Sequence, residues 1–172
     1  MEKKDLLKDV IKHIDIKSYN STELVDAMRN MSFTSRDTAR AADILMMMCK
    51  EKECTNILTL AGSTSAAGCM QVYVDMVRNK MIDVVVATGA SIIDMDLFEA
   101  LGFKHYIGEK ENVIADTTLR DLYIDRIYDT YIDEEELQAC DHTTFEIANM
   151  LEARPYSSRE FIYEIGKWLH DG

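Results

Sequence analysis

The stretch Ile57-Leu-Thr-Leu-Ala61, followed by Gly62-Ser-Thr-Ser-Ala-Ala-Gly68, decides the fold. A second stretch, Ile82-Asp-Val-Val-Val-Ala87 followed by Thr88-Gly-Ala-Ser91, repeats the pattern. Each is a short apolar run that ends in glycine with serine or threonine beside it, which is typical of a parallel strand leading into a helix. The N-terminus of such a helix attracts anions through unpaired N–H groups and a partial positive charge. Two successive junctions therefore predict neighbouring strands with a shared binding crevice at their carboxyl ends.

Length and composition are those of a soluble globular protein. The chain has 172 residues, of which 47% are hydrophobic and 29% charged, and such a chain buries about 70% of its unfolded surface. We expect a single domain, 1–172, with a helical N-terminal region over 1–52 and an α/β part over 53–172. No run reaches the roughly 18 apolar residues of a membrane span, and residues 1–17 lack the apolar centre of a signal peptide. A cytoplasmic protein without a membrane partner is predicted.

Charge and cysteine usage argue against two further classes. The net charge of −12 argues against nucleic acid as a partner, because phosphate binding requires a basic face. The cysteines show neither a C-x-x-C pair nor the spacing of a metal site. They lie in or beside apolar stretches, which favours buried, reduced thiols over disulfides or metal ligands. These cysteines are Cys49, Cys54, Cys69 and Cys140.

Apolar periodicity and capping signals predict helices between and around the two junctions. Helices are expected over 21–30, 34–51, 66–79, 94–101 and 133–153 and from Ser157 onward, with strands over 55–61, 84–86, 105–107 and 124–128. Side chains spaced for burial on these helices are Ala41, Ile44, Leu45, Met48, Met70, Tyr73, Val74, Val77, Phe161, Ile165 and Trp168. The cluster Met46–Met48 is interpreted as core filling, and Gly102 is expected to end its helix in a left-handed conformation. The unbroken run Val84–Val86 favours a strand covered on both faces.

Alternating strands and helices predict an α/β fold with a parallel sheet. Only the two strands that lead into the glycine turns are strongly predicted. A sheet that narrow leaves an exposed edge, which proteins usually protect with a partner. We therefore expect the chain to associate.

Five segments, in the same order along the chain, resemble deoxyhypusine synthase. They are Leu58–Gly68, Val84–Asp94, Phe98–Gly108, Ile124–Glu136 and Arg154–Glu160. The resemblance spans about residues 13 to 170. It implies a Rossmann-like parallel sheet with helices on both faces, incomplete relative to the full family domain.

The resemblance also implies an activity. Members of the family use NAD to oxidise spermidine, hold the aminobutyl group as an imine on a lysine, and pass it to a lysine of a translation initiation factor. Related enzymes of the same fold make homospermidine. Family members are tetramers with active sites at subunit interfaces, so oligomerisation is expected here as well.

Carried over onto this chain, the resemblance implies a set of cofactor-binding residues. The first junction matches the segment lying along NAD, and its residues are Gly62, Ser63, Thr64, Ser65 and Ala66. The second matches another NAD-contacting stretch, Thr88, Gly89 and Ala90. Asp94 stands where the family keeps an acidic residue near the nicotinamide and polyamine, in a stretch that differs in length by one residue. Glycines that let the backbone approach a pyrophosphate, hydroxyl donors and a carboxylate suit this role.

No residue of the chain is predicted to be catalytic, because no motif here matches the family's lysine-bearing second half. Lys167 is interpreted as a solvated lysine on a terminal helix. His105 has apolar neighbours and is interpreted as a packed or hydrogen-bonded histidine. The acidic run Asp133–Glu136 falls at a predicted helix start, where negative charge stabilises the helix. We prefer this structural interpretation of the run over metal or polyamine binding.

Three functions stay open at this stage. The first is the N-terminal half of a deoxyhypusine-synthase-type transferase, a fragment or split-gene subunit that needs a complementary chain. The second is a non-catalytic regulatory or structural paralogue that assembles with full-length synthase subunits. The third is a stand-alone nucleotide-binding domain. Homospermidine-type chemistry is an alternative within the first.

Overall fold

The computed structural model describes residues 1–108 and 113–171. The chain is a mixed α/β protein that divides into two compact units. Unit 1 consists of Met1–Lys12, Ala61–Gly68 and Thr88–Gly172, and unit 2 consists of His13–Leu60 and Cys69–Ala87. Within the described ranges, no helix combines the length and apolar character needed to span a bilayer.

Unit 2 contains the predicted pair of parallel strands. Strand β1 (Ile57–Leu60) pairs in parallel with β2 (Val84–Ala87), so that Ile57 lies opposite Val84. The helices of this unit are α2 (Thr22–Met28), α3 (Phe33–Lys50) and α4 (Met70–Arg78), and a short 3-10 turn covers Ile16–Ser18. The predicted parallel pair and the first two predicted helices are confirmed.

The apolar strand β2 is exposed within this chain. Val84, Val85 and Val86 are 42%, 43% and 54% exposed. Among the residues that the structure describes, β2 pairs with β1 and its valines belong to neither buried apolar cluster, so the prediction of a strand covered on both faces is wrong here.

Helix α3 also presents most of its predicted apolar face to solvent. Ile44 and Leu45 are exposed, and so are Met46 and Met47. Interpreting the methionine cluster as core filling is therefore wrong for Met46 and Met47. Ala39 is the buried position of this helix.

Helix α4 begins four residues later than predicted, at Met70. Gly68 adopts a φ of +83°, a left-handed conformation that interrupts the helical geometry before it. Val77 is exposed, contrary to the prediction, whereas Asp75 is buried and accepts a hydrogen bond from the Lys17 ammonium at 2.8 Å. That bond lowers the pKa of Asp75 below its usual value.

Unit 1 is built on an antiparallel sheet rather than on an extension of β1 and β2. Its strands β3 (His105–Ile107), β4 (Ile124–Ile127) and β5 (Thr130–Asp133) lie in the order β3-β5-β4. Strand β5 was not predicted. The N-terminal segment covers the outer edge of β3, because the Ile11 N–H donates to the His105 carbonyl at 2.8 Å.

A helical segment over 89–100 follows β2 in the chain. It consists of α5 (Gly89–Ser91), a π-helix (Ile92–Leu97) and α6 (Phe98–Ala100). Gly102, with a φ of +100°, ends it in the left-handed conformation predicted for that position.

The remaining helices of unit 1 are α1 (Lys3–Leu6), α7 (Asp116–Asp121), α8 (Glu134–Met150) and α9 (Ser158–Asp171). Asp133 caps α8 by accepting hydrogen bonds from two backbone N–H groups, which confirms the acidic run as a helix start. The predicted capping box at Ser157 is also confirmed, since its N–H donates to the Glu160 carboxylate at 2.8 Å.

The core of unit 1 lies between the sheet, the segment over 89–100 and helices α8 and α9. Its buried side chains include Phe98, Ile132, Cys140, Ile147 and Ile165. The predicted burial of cysteine is therefore confirmed at Cys140, whereas Cys49 is exposed and that prediction is wrong.

Candidate functional site

The two glycine turns meet within unit 1. The Ser91 hydroxyl donates to the Gly62 carbonyl oxygen at 2.7 Å. The Ser91 N–H also donates to the Thr88 hydroxyl at 3.3 Å, which caps α5. One serine therefore connects the first turn to the second, as expected for neighbouring strand ends.

The predicted cofactor residues differ in their exposure. Gly62, Thr88, Gly89 and Ala90 are exposed, Ser63 and Thr64 are half-buried, and Ser65 and Ala66 are buried. Nothing lies within 4 Å of the position that a Cβ would occupy at Gly62 or Gly89. The main chain at both glycines is thus open to close approach by another molecule.

Ser65 makes a hydrogen bond inside the protein. Its side chain has no exposed surface, and its hydroxyl donates to the carboxylate of Asp96. This carboxylate belongs to the π-helix that follows the second turn. Ser65 thus fixes the middle of the first turn.

Thr64, the neighbouring residue, is in the opposite situation. Its hydroxyl oxygen is buried and has no hydrogen-bond partner among the described residues. An unsatisfied buried hydroxyl costs about 1–3 kcal/mol. The contacts of this unit alone therefore give no reason for a polar side chain at this position.

Asp94 lies half-buried in the π-helix. Burial raises the pKa of its carboxyl above the usual value, and the negative charge of Asp141 adds to this shift. The π-helix Ile92–Leu97 places Asp94 as its third residue.

Cys140 contacts the same π-helix, and its thiol is unreactive. Its thiol donates to the Ile93 carbonyl at 3.4 Å. Burial, with the charges of Asp141 and Asp94, raises the pKa of this thiol to about 11. A protonated buried thiol is neither a good nucleophile nor a good metal ligand.

Two predictions about single side chains are confirmed. His105 is fully buried, with its Nδ1 at 2.6 Å from Glu99 and its Nε2 at 3.1 Å from the Met95 sulfur. Lys167 lies on the exposed face of α9 and pairs with Glu164 at 2.9 Å. Across 1–108 and 113–171, no group of three or more histidine, cysteine or acidic side chains is arranged to hold a metal ion.

A separate groove of about 970 Å³ lies beside α7, β4 and the start of α8. Its polar lining consists of Asp116, Arg120, Asp121, Asp125, Arg126, Glu134 and Gln138, and none of the predicted cofactor residues lines it. Arg126 pairs with Asp116 at 2.7 Å. Burial and a hydrogen bond with Glu134 raise the pKa of Asp125.

Sequence reasoning missed two residues of the turn region, Ser91 and Asp96. The local sequence could have indicated Ser91, because a residue three positions after the helix cap Thr88 can form a hydrogen bond with the Thr88 hydroxyl. It could not have indicated Asp96, since its partner Ser65 is 31 residues away in the chain.

The joined glycine-hydroxyl turns on a mixed α/β scaffold define a protein with a partial Rossmann-like fold. The chain belongs to the deoxyhypusine synthase family, whose family model matches residues 23–172.

Curated relatives match almost the whole chain. The deoxyhypusine synthase-like protein of Caulobacter vibrioides is 66% identical over 171 residues, covering 99% of this chain and 46% of the relative. The protein of the same name from Coxiella burnetii is 59% identical over 170 residues, covering 99% and 48%. The probable deoxyhypusine synthase 2 of Methanosarcina acetivorans is 37% identical over 156 residues, covering 91% and 44%. The chain thus spans about half the length of these relatives.

Proposed function

We propose that the chain takes part in a deoxyhypusine-synthase-type reaction: NAD-dependent transfer of an aminobutyl group from spermidine to a lysine of a translation initiation factor. In this proposal the chain supplies part of the NAD site. The observation that carries it is the 2.7 Å hydrogen bond from Ser91 to Gly62, because it holds two dinucleotide-type turns together. Since the acceptor is a translation factor, the proposal locates the chain in the cytoplasm.

The turns form one wall of the NAD site. Within Gly62–Ala66 and Thr88–Ala90, the exposed main chain lies at Gly62 and Thr88–Ala90. The hydroxyls available to a ligand are those of Ser63, Thr64 and Thr88, and the glycines let a pyrophosphate approach closely. Thr64 keeps a hydroxyl whose hydrogen-bonding capacity is unused among the described residues. The half-buried carboxylate of Asp94 suits a ribose hydroxyl or the ammonium of a polyamine.

The lysine that forms the imine comes from the part of the family domain that this chain does not match. We infer that this part also covers β2 and α3, because Val86 and Met47 are 54% and 68% exposed. Apolar surface of this kind usually marks an interaction site. The partners are therefore complementary or full-length synthase subunits in a homo- or hetero-oligomer.

Reconstitution tests this function. The chain is mixed with the non-overlapping part of the Caulobacter vibrioides relative, and spermidine cleavage is measured with and without NAD. We expect cleavage only when both polypeptides and NAD are present. No NAD-dependent cleavage in a mixture shown to form a complex contradicts the proposal. Analysis of the product separates deoxyhypusine from homospermidine, since the first requires the initiation factor and the second a free diamine.

A second candidate is a non-catalytic paralogue that assembles with a full-length synthase. The same exposed apolar surface favours it, because a regulatory subunit also needs a docking face. Copurification from the native cell discriminates the two functions. A full-length synthase in the complex favours regulation, whereas a polypeptide that carries only the lysine-bearing part favours the enzyme.

A further inference from the structure

The first glycine turn is held at three points by other parts of unit 1. At its start the Gly62 carbonyl accepts the Ser91 hydroxyl at 2.7 Å. In its middle the Ser65 hydroxyl donates to Asp96. At its end Gly68 lies so close to the main chain of Lys12 that a Cβ there would approach the Lys12 carbonyl oxygen to 2.9 Å.

The Ser91 contact is buried and therefore restrictive. Ser91 has no exposed surface, so its hydroxyl cannot exchange the Gly62 carbonyl for water without opening the unit. Its backbone N–H is engaged by the Thr88 hydroxyl at the same time. A single side chain thus sets the spacing between the first turn and the N-terminus of α5.

The Asp96 contact gives a fully buried hydroxyl a carboxyl oxygen as its acceptor. A buried hydroxyl without such an acceptor would cost stability. Because the Ser65 hydroxyl donates its proton to Asp96 and the side chain has no exposed surface, Ser65 cannot donate to a ligand while this bond persists. Its part in the site is then to hold the main chain of the turn in place.

We propose that Ser91 and Asp96 are positioning residues of the dinucleotide site, which act by fixing the Gly62–Gly68 turn and touch no substrate or cofactor themselves. This inference rests on the proposed function. A binding loop that is already ordered binds its ligand more tightly, because it loses less conformational entropy on binding. Loss of either contact therefore weakens NAD binding more than it weakens binding of a substrate that does not lie on the turn.

The test uses the reconstituted complex and four variants: Ser91→Ala, Asp96→Ala, Asp96→Asn and the control Asp121→Ala. Asp121 is an exposed residue of α7 whose partner is the neighbouring Arg120. The KM for NAD and the KM for spermidine are measured for each variant, together with amide hydrogen exchange of residues 62–68. We expect Ser91→Ala and Asp96→Ala to raise the KM for NAD about tenfold and to speed exchange in the turn. The KM for spermidine stays within about twofold.

Asp96→Asn keeps an oxygen acceptor for Ser65 and should restore most of the affinity for NAD, while Asp121→Ala changes nothing. If the KM for NAD is unchanged in Ser91→Ala and Asp96→Ala, the inference is wrong, while the proposed function still stands. An equal rise of both KM values has the same consequence, because a general loss of stability produces such a rise. Absence of NAD-dependent turnover in the wild-type complex overturns the proposed function, and the inference falls with it.

Discussion

Units 1 and 2 bury their apolar side chains to very different degrees. In unit 1, Phe98, Ile132 and Ile147 are at most 2% exposed. In unit 2, Ala39 is the one buried hydrophobic residue among the described positions, and Val86 is 54% exposed. Unit 2 contains the unbroken apolar runs Val84–Ala87 and Ile44–Cys49, yet the buried apolar clusters of the described residues belong to unit 1.

The difference shows which part of the chain is stabilised by burial of its own apolar side chains. Burial of apolar surface contributes roughly 25 cal/mol per Å², so the Phe98 and Ile147 cluster stabilises unit 1 by itself. Strand β2 gains little in this way, although an all-valine run is typical of a strand covered on both faces. Unit 2 is thus the part of the molecule in which apolar side chains of β2 and α3 remain exposed.

The largest expected effect comes from the same substitution made in each unit. Phe98→Ala removes a fully buried ring that packs 5.2 Å from Phe103 and should lower the free energy of unfolding by about 3–5 kcal/mol. Phe33→Ala, at an 89% exposed position of unit 2, should change it by less than about 0.5 kcal/mol. Chemical denaturation measures both values. Phe145→Ala, exposed in unit 1, is the matched control, and equal losses at Phe98 and Phe33 would contradict the contrast between the units.

A smaller effect distinguishes two adjacent residues of the first turn. Ser65→Ala breaks the buried bond to Asp96 and should cost about 1–2 kcal/mol of stability. Thr64→Val removes a buried hydroxyl without a partner among the described residues and should raise stability by up to about 1 kcal/mol. Thermal unfolding of the isolated chain measures both changes. If Thr64→Val is stabilising and also raises the KM for NAD, the hydroxyl is retained for the ligand; a destabilising Thr64→Val would mean that the native turn already satisfies it.

How much of this site the sequence predicts depends on the range of the signal. Gly102 and the Ser157 capping box are local patterns, and both were predicted correctly because the residues that decide them are three positions apart or fewer. The contact between Ser65 and Asp96 joins residues 31 positions apart, and no local pattern encodes it.

Two errors in the fold have the same physical origin. Strand β5 was missed because Thr130–Asp133 is only four residues long and runs directly into the acidic start of α8. Its burial comes from pairing with β3 and β4 on both sides, which is a tertiary property. The covered state predicted for Val84–Val86 likewise depends on a surface that the chain's own described residues do not provide.

The charge of Asp94 gives a pH-dependent prediction of modest size. Its pKa is raised in the folded protein by burial and by Asp141, so the native state binds more protons than the unfolded state between about pH 3.9 and the raised value. Asp94 therefore lowers stability progressively as the pH rises through that window, and the penalty persists above it. Asp94→Asn should be more stable than wild type at pH 7 and equal to it at pH 3. Urea denaturation across this range tests the sign, and a variant that is less stable at pH 7 would contradict it.

The smallest effect on the isolated chain is expected at the centre of β2. Val85 is 43% exposed, so Val85→Thr should change the free energy of unfolding by less than about 0.5 kcal/mol. In the complex with the non-overlapping part of a relative, the added hydroxyl would be buried without an assured partner. Titration calorimetry should then show assembly weakened by about tenfold or more.

Val113→Thr is the matched control, because Val113 is 62% exposed in unit 1 and should affect neither measurement. A Val85→Thr variant that loses more than about 1 kcal/mol in isolation would mean that β2 is already covered in the free chain. Unchanged assembly would mean that the partner binds elsewhere. Two results together fit a strand that is covered by a partner: Val85→Thr leaves the stability of the isolated chain unchanged, and it weakens assembly of the complex.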